Sequence, residues 1–136
     1  MLIKQNEPTP NRPKGGRPLD APWMIIDIDY SLKQMVDEKA WHTNDRNGIT
    51  LFKSGDYTVV LTALHKDASL ENEKAKGFLQ VQVLAGRVSL RQPAMGAEIT
   101  KGQLVVIHDG IEFSIVALEE SVILITNSMH EINQEL

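Results

Sequence analysis

Residues 78–90, FLQVQVLAGRVSL, constrain what this chain can fold into more than any other stretch. Leu79, Val81 and Val83 fall on one face of a strand, and Phe78, Gln80, Gln82 and Leu84 fall on the other. Gly86 interrupts the alternation with a residue that tolerates positive φ, and Val88 and Leu90 then resume it. The pattern predicts two strands joined as a hairpin.

The same alternation recurs from residue 49 onward. Strands are expected at 49–53, 57–65, 78–84, 87–92, 97–100, 103–108, 113–117 and 122–126. Turn signals separate them: Ser54-Gly55-Asp56, Gly86, Pro93 with Gly96, Lys101-Gly102, Asp109-Gly110 and Glu119-Glu120. Eight short strands at this spacing predict an all-β sandwich or barrel rather than a βαβ sheet. Residues 66–76, KDASLENEKAK, lack the alternation and read as a polar loop.

The first 22 residues hold five of the six prolines, grouped around Gly15-Gly16. Proline removes a backbone donor, so this segment reads as an extended, irregular arm. It is expected to dock at 17–23, RPLDAPW, by burying Leu19 and Trp23. Met24 to Ile28 reads as a short strand. Ser31 with Gln34 resembles a capping box, opening one amphipathic helix over about 31–41. Leu32, Met35, Val36 and Ala40 supply its apolar face, and Trp41 anchors its end. Residues 23–127 form the body of the domain, and 128–136 form a polar tail.

A length of 136 residues suits one domain. The formal net charge of −4 argues against nucleic acid as a partner, because phosphate binding needs a surplus of Lys and Arg. With no cysteine, disulfides, thiolate metal sites and a cysteine nucleophile are excluded, which fits a reducing cytoplasm. No run approaches the roughly 20 apolar residues of a membrane helix, and the start lacks the apolar core of a secretion signal. A cytoplasmic location with no membrane partner is the expectation.

Few side chains offer chemistry. His65 shares parity with Val59, Leu61 and Ala63, and His108 shares parity with Leu104 and Val106. If those faces point inward, both imidazoles sit towards one end of the fold, near Glu73 or Glu112. Two histidines and a carboxylate suit a weak metal site or general acid–base work. The plainer alternative is a half-exposed histidine at a strand end, satisfied by water or backbone. Asp27, Asp29, Asp37 and Glu38 fit carboxylates around a helix. Asn44 to Asn47 reads as a turn in which Arg46 anchors a carboxylate.

The segments around Gly86 and from Gly102 to Gly110 resemble the two motifs of the cupin superfamily. That family's second motif runs Gly, five residues, Pro-x-Gly, two residues, His, three residues, Asn. Here Gly102 is followed by QLVVI, then His108-Asp109-Gly110, Ile111-Glu112 and Phe113. Both glycines and the spacing match, with His108 in place of the proline, Phe113 of the histidine and Ala117 of the asparagine. In the first motif a His-x-His pair precedes a glutamate that six intervening residues separate from the turn glycine. Counting back from Gly86 puts Leu79 at the glutamate and Asn72-Glu73-Lys74-Ala75 where the histidines would lie. The likeness covers roughly residues 56–127. More narrowly, RPLDAPW, AWHTNDRNGITLFKS, VVLTALHKDA and VQVLAGRV look like a group of small stand-alone bacterial cupins, mostly without assigned function. Some of these keep histidines at the places of Glu73 and Phe113, and this chain has neither.

The resemblance implies a single antiparallel cupin-type barrel, an RmlC-like jelly roll, carrying one helix and the N-terminal arm. Metal-holding cupins grip the ion with three imidazoles and a carboxylate. Leu79 and Phe113 stand at two of those places and cannot ligate. The expected function is therefore a metal-free, cofactor-free barrel that binds a small apolar or amphipathic molecule, or serves as a sensor. Leu79, Val81, Phe113, His65 and His108 are its candidate ligand-binding residues. Small barrels of this kind commonly form homodimers, and the face bearing Phe78, Gln80 and Gln82 suits a partner. The alternative is a metal-dependent oxygenase or isomerase using a divalent transition metal, or a metal-free enzyme, with His65, His108 and Glu73 as catalytic candidates.

Overall fold

A computed structural model describes residues 4–10 and 12–129. At its start, β1 (Lys4–Asn6) and β2 (Arg17–Asp20) pair antiparallel as a small ribbon. The arm is thus not wholly irregular. Pro18 is tolerated in β2 because both strands of a two-stranded ribbon are edges. Leu19 is buried as expected, whereas Trp23 is 77% exposed and takes no part in docking. Residues 24–27 pair with no strand, so the strand expected at Met24–Ile28 does not form.

The helix starts at Asp27 rather than Ser31. The Asp27 side chain accepts a hydrogen bond of 3.0 Å from the Tyr30 N–H, and α1 runs Ile28–Asp37. Ile28, Leu32, Met35 and Val36 follow one another at helical spacing and form one apolar face. At Glu38 the backbone turns extended (φ −75°, ψ 147°), then α2 (Lys39–Thr43) follows and buries Trp41. The one helix expected over 31–41 is therefore two.

Among the described residues nine strands follow: β3 (Arg46–Lys53), β4 (Tyr57–Leu64), β5 (Ser69–Lys74), β6 (Phe78–Ala85), β7 (Arg87–Gln92), β8 (Met95–Thr100), β9 (Leu104–Ile107), β10 (Glu112–Ala117) and β11 (Ser121–Ser128). They form two antiparallel sheets, β3-β4-β11-β6-β9 and β5-β10-β7-β8. All eight expected strands are present, and β5 is an addition from the stretch read as a polar loop. It is an edge strand, largely exposed, paired to β10 with an irregular register and with Asn72 at φ 54°. A solvated edge needs no apolar alternation, so the sequence carried no signal for it.

The Gly86 connection is not a hairpin. β6 and β7 belong to different sheets, and Gly86 is the corner between them. It sits at φ +83°, where a Cβ would collide with the Ser121 side chain and the Glu120 carbonyl. The Ser121 hydroxyl accepts from the Arg87 N–H at 3.0 Å and donates to the Glu119 carbonyl at 2.8 Å, closing the corner against the start of β11. Alternation around a glycine suits a corner as well as a hairpin, and only pairing with distant strands decides between them.

The core has two parts. Between the sheets, Val81, Val83, Ile107 and Ile123 meet Val88, Phe113 and Ile115. On the opposite face of the five-stranded sheet, Ile49, Leu51, Leu61 and Ala63 meet Met35 and Trp41 of the helices. Each fully buried aliphatic side chain stabilises the fold by about 2 kcal/mol. Of the expected polar tail, residues 130–136 lie outside the described residues.

Candidate functional site

Of the five positions marked for ligand binding, Leu79, Val81 and Phe113 are packed into the inter-sheet core, whereas His65 is half-buried and His108 is exposed. Leu79 packs against the inter-sheet cluster, Val81 is fully buried and Phe113 is 6% exposed. Glu73 pairs with Phe113 across β5 and β10, and it is exposed. Leu79, Val81 and Phe113 carry no ligating atom. Among the described residues no group of three or more His, Cys, Asp or Glu is placed to hold an ion. The donor set of a metal-holding cupin is not met by these residues.

The two histidines are not brought together. Register puts His108, just after β9, in one row with Phe78, Ser128 and Tyr57. His65 lies eight residues beyond Tyr57, an offset of about 25 Å along the strand direction from that row at the usual rise per residue. β9 runs antiparallel to β4, so their C-terminal ends lie at opposite ends of the sheet. The face was also inverted. Thr62 and Leu64 alternate with Leu61 and Ala63, and it is Leu61 and Ala63 that face the helices, outside the inter-sheet core.

His65 instead stacks on Trp41, with ring centroids 3.5 Å apart, and its Nε2 lies 2.8 Å from the Trp41 carbonyl. Its Nδ1 lies 3.7 Å from Glu120 Oε2. His108 meets only the edge of Phe78, at a centroid separation of 4.9 Å. Near His65, Arg46 grips the adjacent Asp45 through two hydrogen bonds of 2.9 and 3.0 Å. These hold the Asp45 carboxyl below, and the Arg46 guanidinium above, their ordinary values. Glu73 adds to the field at Arg46.

The most developed polar constellation joins the arm to the helices. Arg12 grips Glu38 with two hydrogen bonds of 2.8 Å and also donates to the Gly48 carbonyl at 2.8 Å. The Asn47 amide donates to Glu38 and to the Met35 carbonyl, each at 2.9 Å. Burial pushes the Glu38 carboxyl up, but the bonds from Arg12 and Asn47 outweigh it and hold the group below its ordinary value. Arg17 donates twice to the Thr50 carbonyl, at 3.1 and 2.7 Å, and burial together with the nearby Arg12 charge lowers its affinity for its proton.

Above this clamp the arm and helices enclose a cleft of about 840 Å³. Pro10, Pro13 and Tyr30 form its apolar walls, and Lys14, Lys33 and Lys39 stand around it. No sequence motif marks these residues as a site. Their signal was Tyr30 and Lys33 on the polar face of the helix, three residues apart, but nothing local showed that the arm folds back beside them. Of the residues expected to bind a ligand, Phe113 borders a second hollow, of about 470 Å³, beside Asn72, Arg91 and Ser114.

The described residues thus form two antiparallel sheets packed face to face, with a helical pair on the outside of one. Solved structures of cupin proteins are similar in fold. A cupin superfamily protein from Desulfitobacterium hafniense DCB-2 superposes with a TM-score of 0.62 at 13% identity, over 64% of this chain and 80% of its own. A cupin-2 domain protein from Shewanella frigidimarina NCIMB 400 gives 0.62 at 15% identity, over 76% and 94%. A protein of unknown function from Streptococcus pyogenes gives 0.61 at 20% identity, over 66% and 79%. The chain has the cupin fold, and identities this low speak for the fold alone. No protein-family model and no curated protein matches it.

Proposed function

We propose that this chain is a small, RmlC-like cupin that binds a small molecule and works without a resident metal or other cofactor. The carrying observation is that Leu79 and Phe113 pack into the inter-sheet core at the places where the resemblance puts metal ligands. The strand order supports a jelly-roll barrel: β4, β11, β6 and β9 share one sheet with β3, and β5, β10, β7 and β8 form the other. Packing at Val81 and Phe113 leaves little room for a ligand between them, so the binding place shifts to the arm–helix cleft. A second copy of the chain is the proposed macromolecular partner, seated on the outer face of β6 and β9. The enzyme alternative draws no support from the register, because His65 and His108 stand at opposite ends of the sheet.

The test is thermal stability against a metabolite panel, with and without EDTA. A ligand-dependent rise in Tm that EDTA leaves intact is expected. A rise that needs a transition metal overturns the reading.

A further inference from the structure

The arm–helix cleft has a charge opposite to that of the chain as a whole. Lys14, Lys33 and Lys39 stand around it, against one unclamped carboxylate, Asp37. The other carboxylate, Glu38, is taken up by Arg12. None of the three lysines has a carboxylate within ion-pair distance among the described residues. The cleft therefore carries a local surplus of positive charge in a chain whose net charge is −4. Such a local surplus of positive charge attracts anions.

The walls add a second requirement. Pro10 and Pro13 present rigid apolar rings, and Tyr30 is 68% exposed on the same cleft. An exposed tyrosine beside prolines offers a flat surface on which an aromatic or conjugated group can lie. A volume of about 840 Å³ falls within the usual range for sites that hold small organic ligands. An inorganic anion would leave the apolar walls unused. A neutral aromatic would leave the lysines unused.

We propose that the cleft between the Pro-rich arm and α1–α2 binds an organic anion with a flat apolar body, of the aromatic carboxylate class. Lys14, Lys33 and Lys39 hold the carboxylate while Tyr30 and the prolines hold the ring. The site is held open by the Arg12–Glu38–Asn47 clamp, which fixes the arm to the helix and to β3. The proposal rests on the binding-module reading above and gives it a place and a ligand chemistry.

The experiment is a ¹H–¹⁵N NMR titration of the full chain with 2-naphthoate, alongside neutral 2-naphthalenemethanol and sodium acetate. Saturable shifts confined to the amides of Tyr30, Lys33, Gln34, Lys39 and Ala40 are expected, with both comparison compounds at least about tenfold weaker, the step that loss of one good interaction produces. Lys33→Glu/Lys39→Glu, exposed positions whose spectrum reports that the fold is retained, should weaken naphthoate by a further factor of about ten or more. Equal binding of the alcohol, shifts elsewhere on the protein, or no shift at millimolar naphthoate overturns the proposal. The metabolite panel repeated on the double variant separates the two failures. A ligand that stabilises both proteins equally removes the cleft and leaves the binding module standing, whereas a panel with no stabilising ligand for either removes both.

Discussion

The Trp41 indole and the His65 imidazole lie face to face, 15° from parallel with centroids 3.5 Å apart. The contact ties α2 to the end of β4, and the bond from His65 Nε2 to the Trp41 carbonyl fixes the ring in plane and assigns the proton to that nitrogen. His65 thereby contributes to the packing of α2 on the sheet. His65→Ala should cost about 2–3 kcal/mol, combining the lost stack with the unmade hydrogen bond. His65→Phe keeps the stack and should cost only about 1 kcal/mol. Urea denaturation measures both; equal losses would show that the stack contributes nothing.

The Arg12 clamp predicts a pH dependence. Because the Glu38 carboxyl is held below its ordinary value, its stabilisation is fully present above the unfolded value, near pH 4.3, and is lost as pH falls through the folded value. Arg12→Ala should cost about 2 kcal/mol at neutral pH, since it leaves a largely buried carboxylate short of its partner. Glu38→Gln should flatten the acid side of the stability curve. Chemical denaturation between pH 3 and 7 reads both effects, and an unchanged acid limb in Glu38→Gln would remove Glu38 as its source.

Much of the fold could be read in the sequence, because period-2 alternation and turn glycines are local properties. Alternation alone puts Val81 and Val83 on one face, and they are buried together. What stayed hidden depended on distant partners. Gly86 looked the same whether it joined strands of one sheet or of two. Leu61 and Ala63 looked like barrel interior, yet a helix covers them from outside. The Ser31 cap loses to Asp27, four residues upstream, because Asp caps as well as Ser and lets Ile28 join the apolar face. The cleft is least legible, since the side-chain hydrogen bonds that join the arm to the helices among the described residues run from Arg12 to Glu38 and from Gln34 to the Lys14 carbonyl, pairs far apart in sequence.

The corner at Gly86 separates two costs of adding a methyl group. Gly86→Ala meets left-handed strain and also the Glu120 backbone, while Gly102, at φ +87°, has open space around it. Gly102→Ala should therefore cost about 1 kcal/mol, and Gly86→Ala more than about 3 kcal/mol, because the start of β11 must move. Similar values for the two in urea denaturation would show that the corner yields cheaply.

Chelation tests the interior. An ion bound at a hundred times its Kd would stabilise the fold by about 2.7 kcal/mol, so its removal would lower Tm by several degrees in a domain of this size. With Leu79 and Phe113 packed where ligands would sit, EDTA is expected to leave Tm of tag-free protein unchanged, and elemental analysis to find well below one equivalent of transition metal. A full equivalent per chain, or a fall of several degrees, would contradict the metal-free reading.

The outer face of β9 predicts the assembly state. β9 is an edge strand, reads LVVI without a charge, and leaves Leu104 and Val106 each 52% exposed. Edge strands that stay solitary usually carry a lysine, a proline or a bulge. Towards the same end of the sheet, Tyr57 and Met129 are 44% and 48% exposed, which extends the apolar surface beyond the strand. A second copy related by a two-fold axis would cover it, and because such an interface uses the same patch twice, Leu104→Lys/Val106→Lys changes four side chains at once. Light scattering is expected to give a dimer mass for the wild type and a monomer mass for the double variant, with an unchanged Tm at low concentration, since neither side chain belongs to the buried core. A monomeric wild type at tens of micromolar would leave this face without its proposed partner.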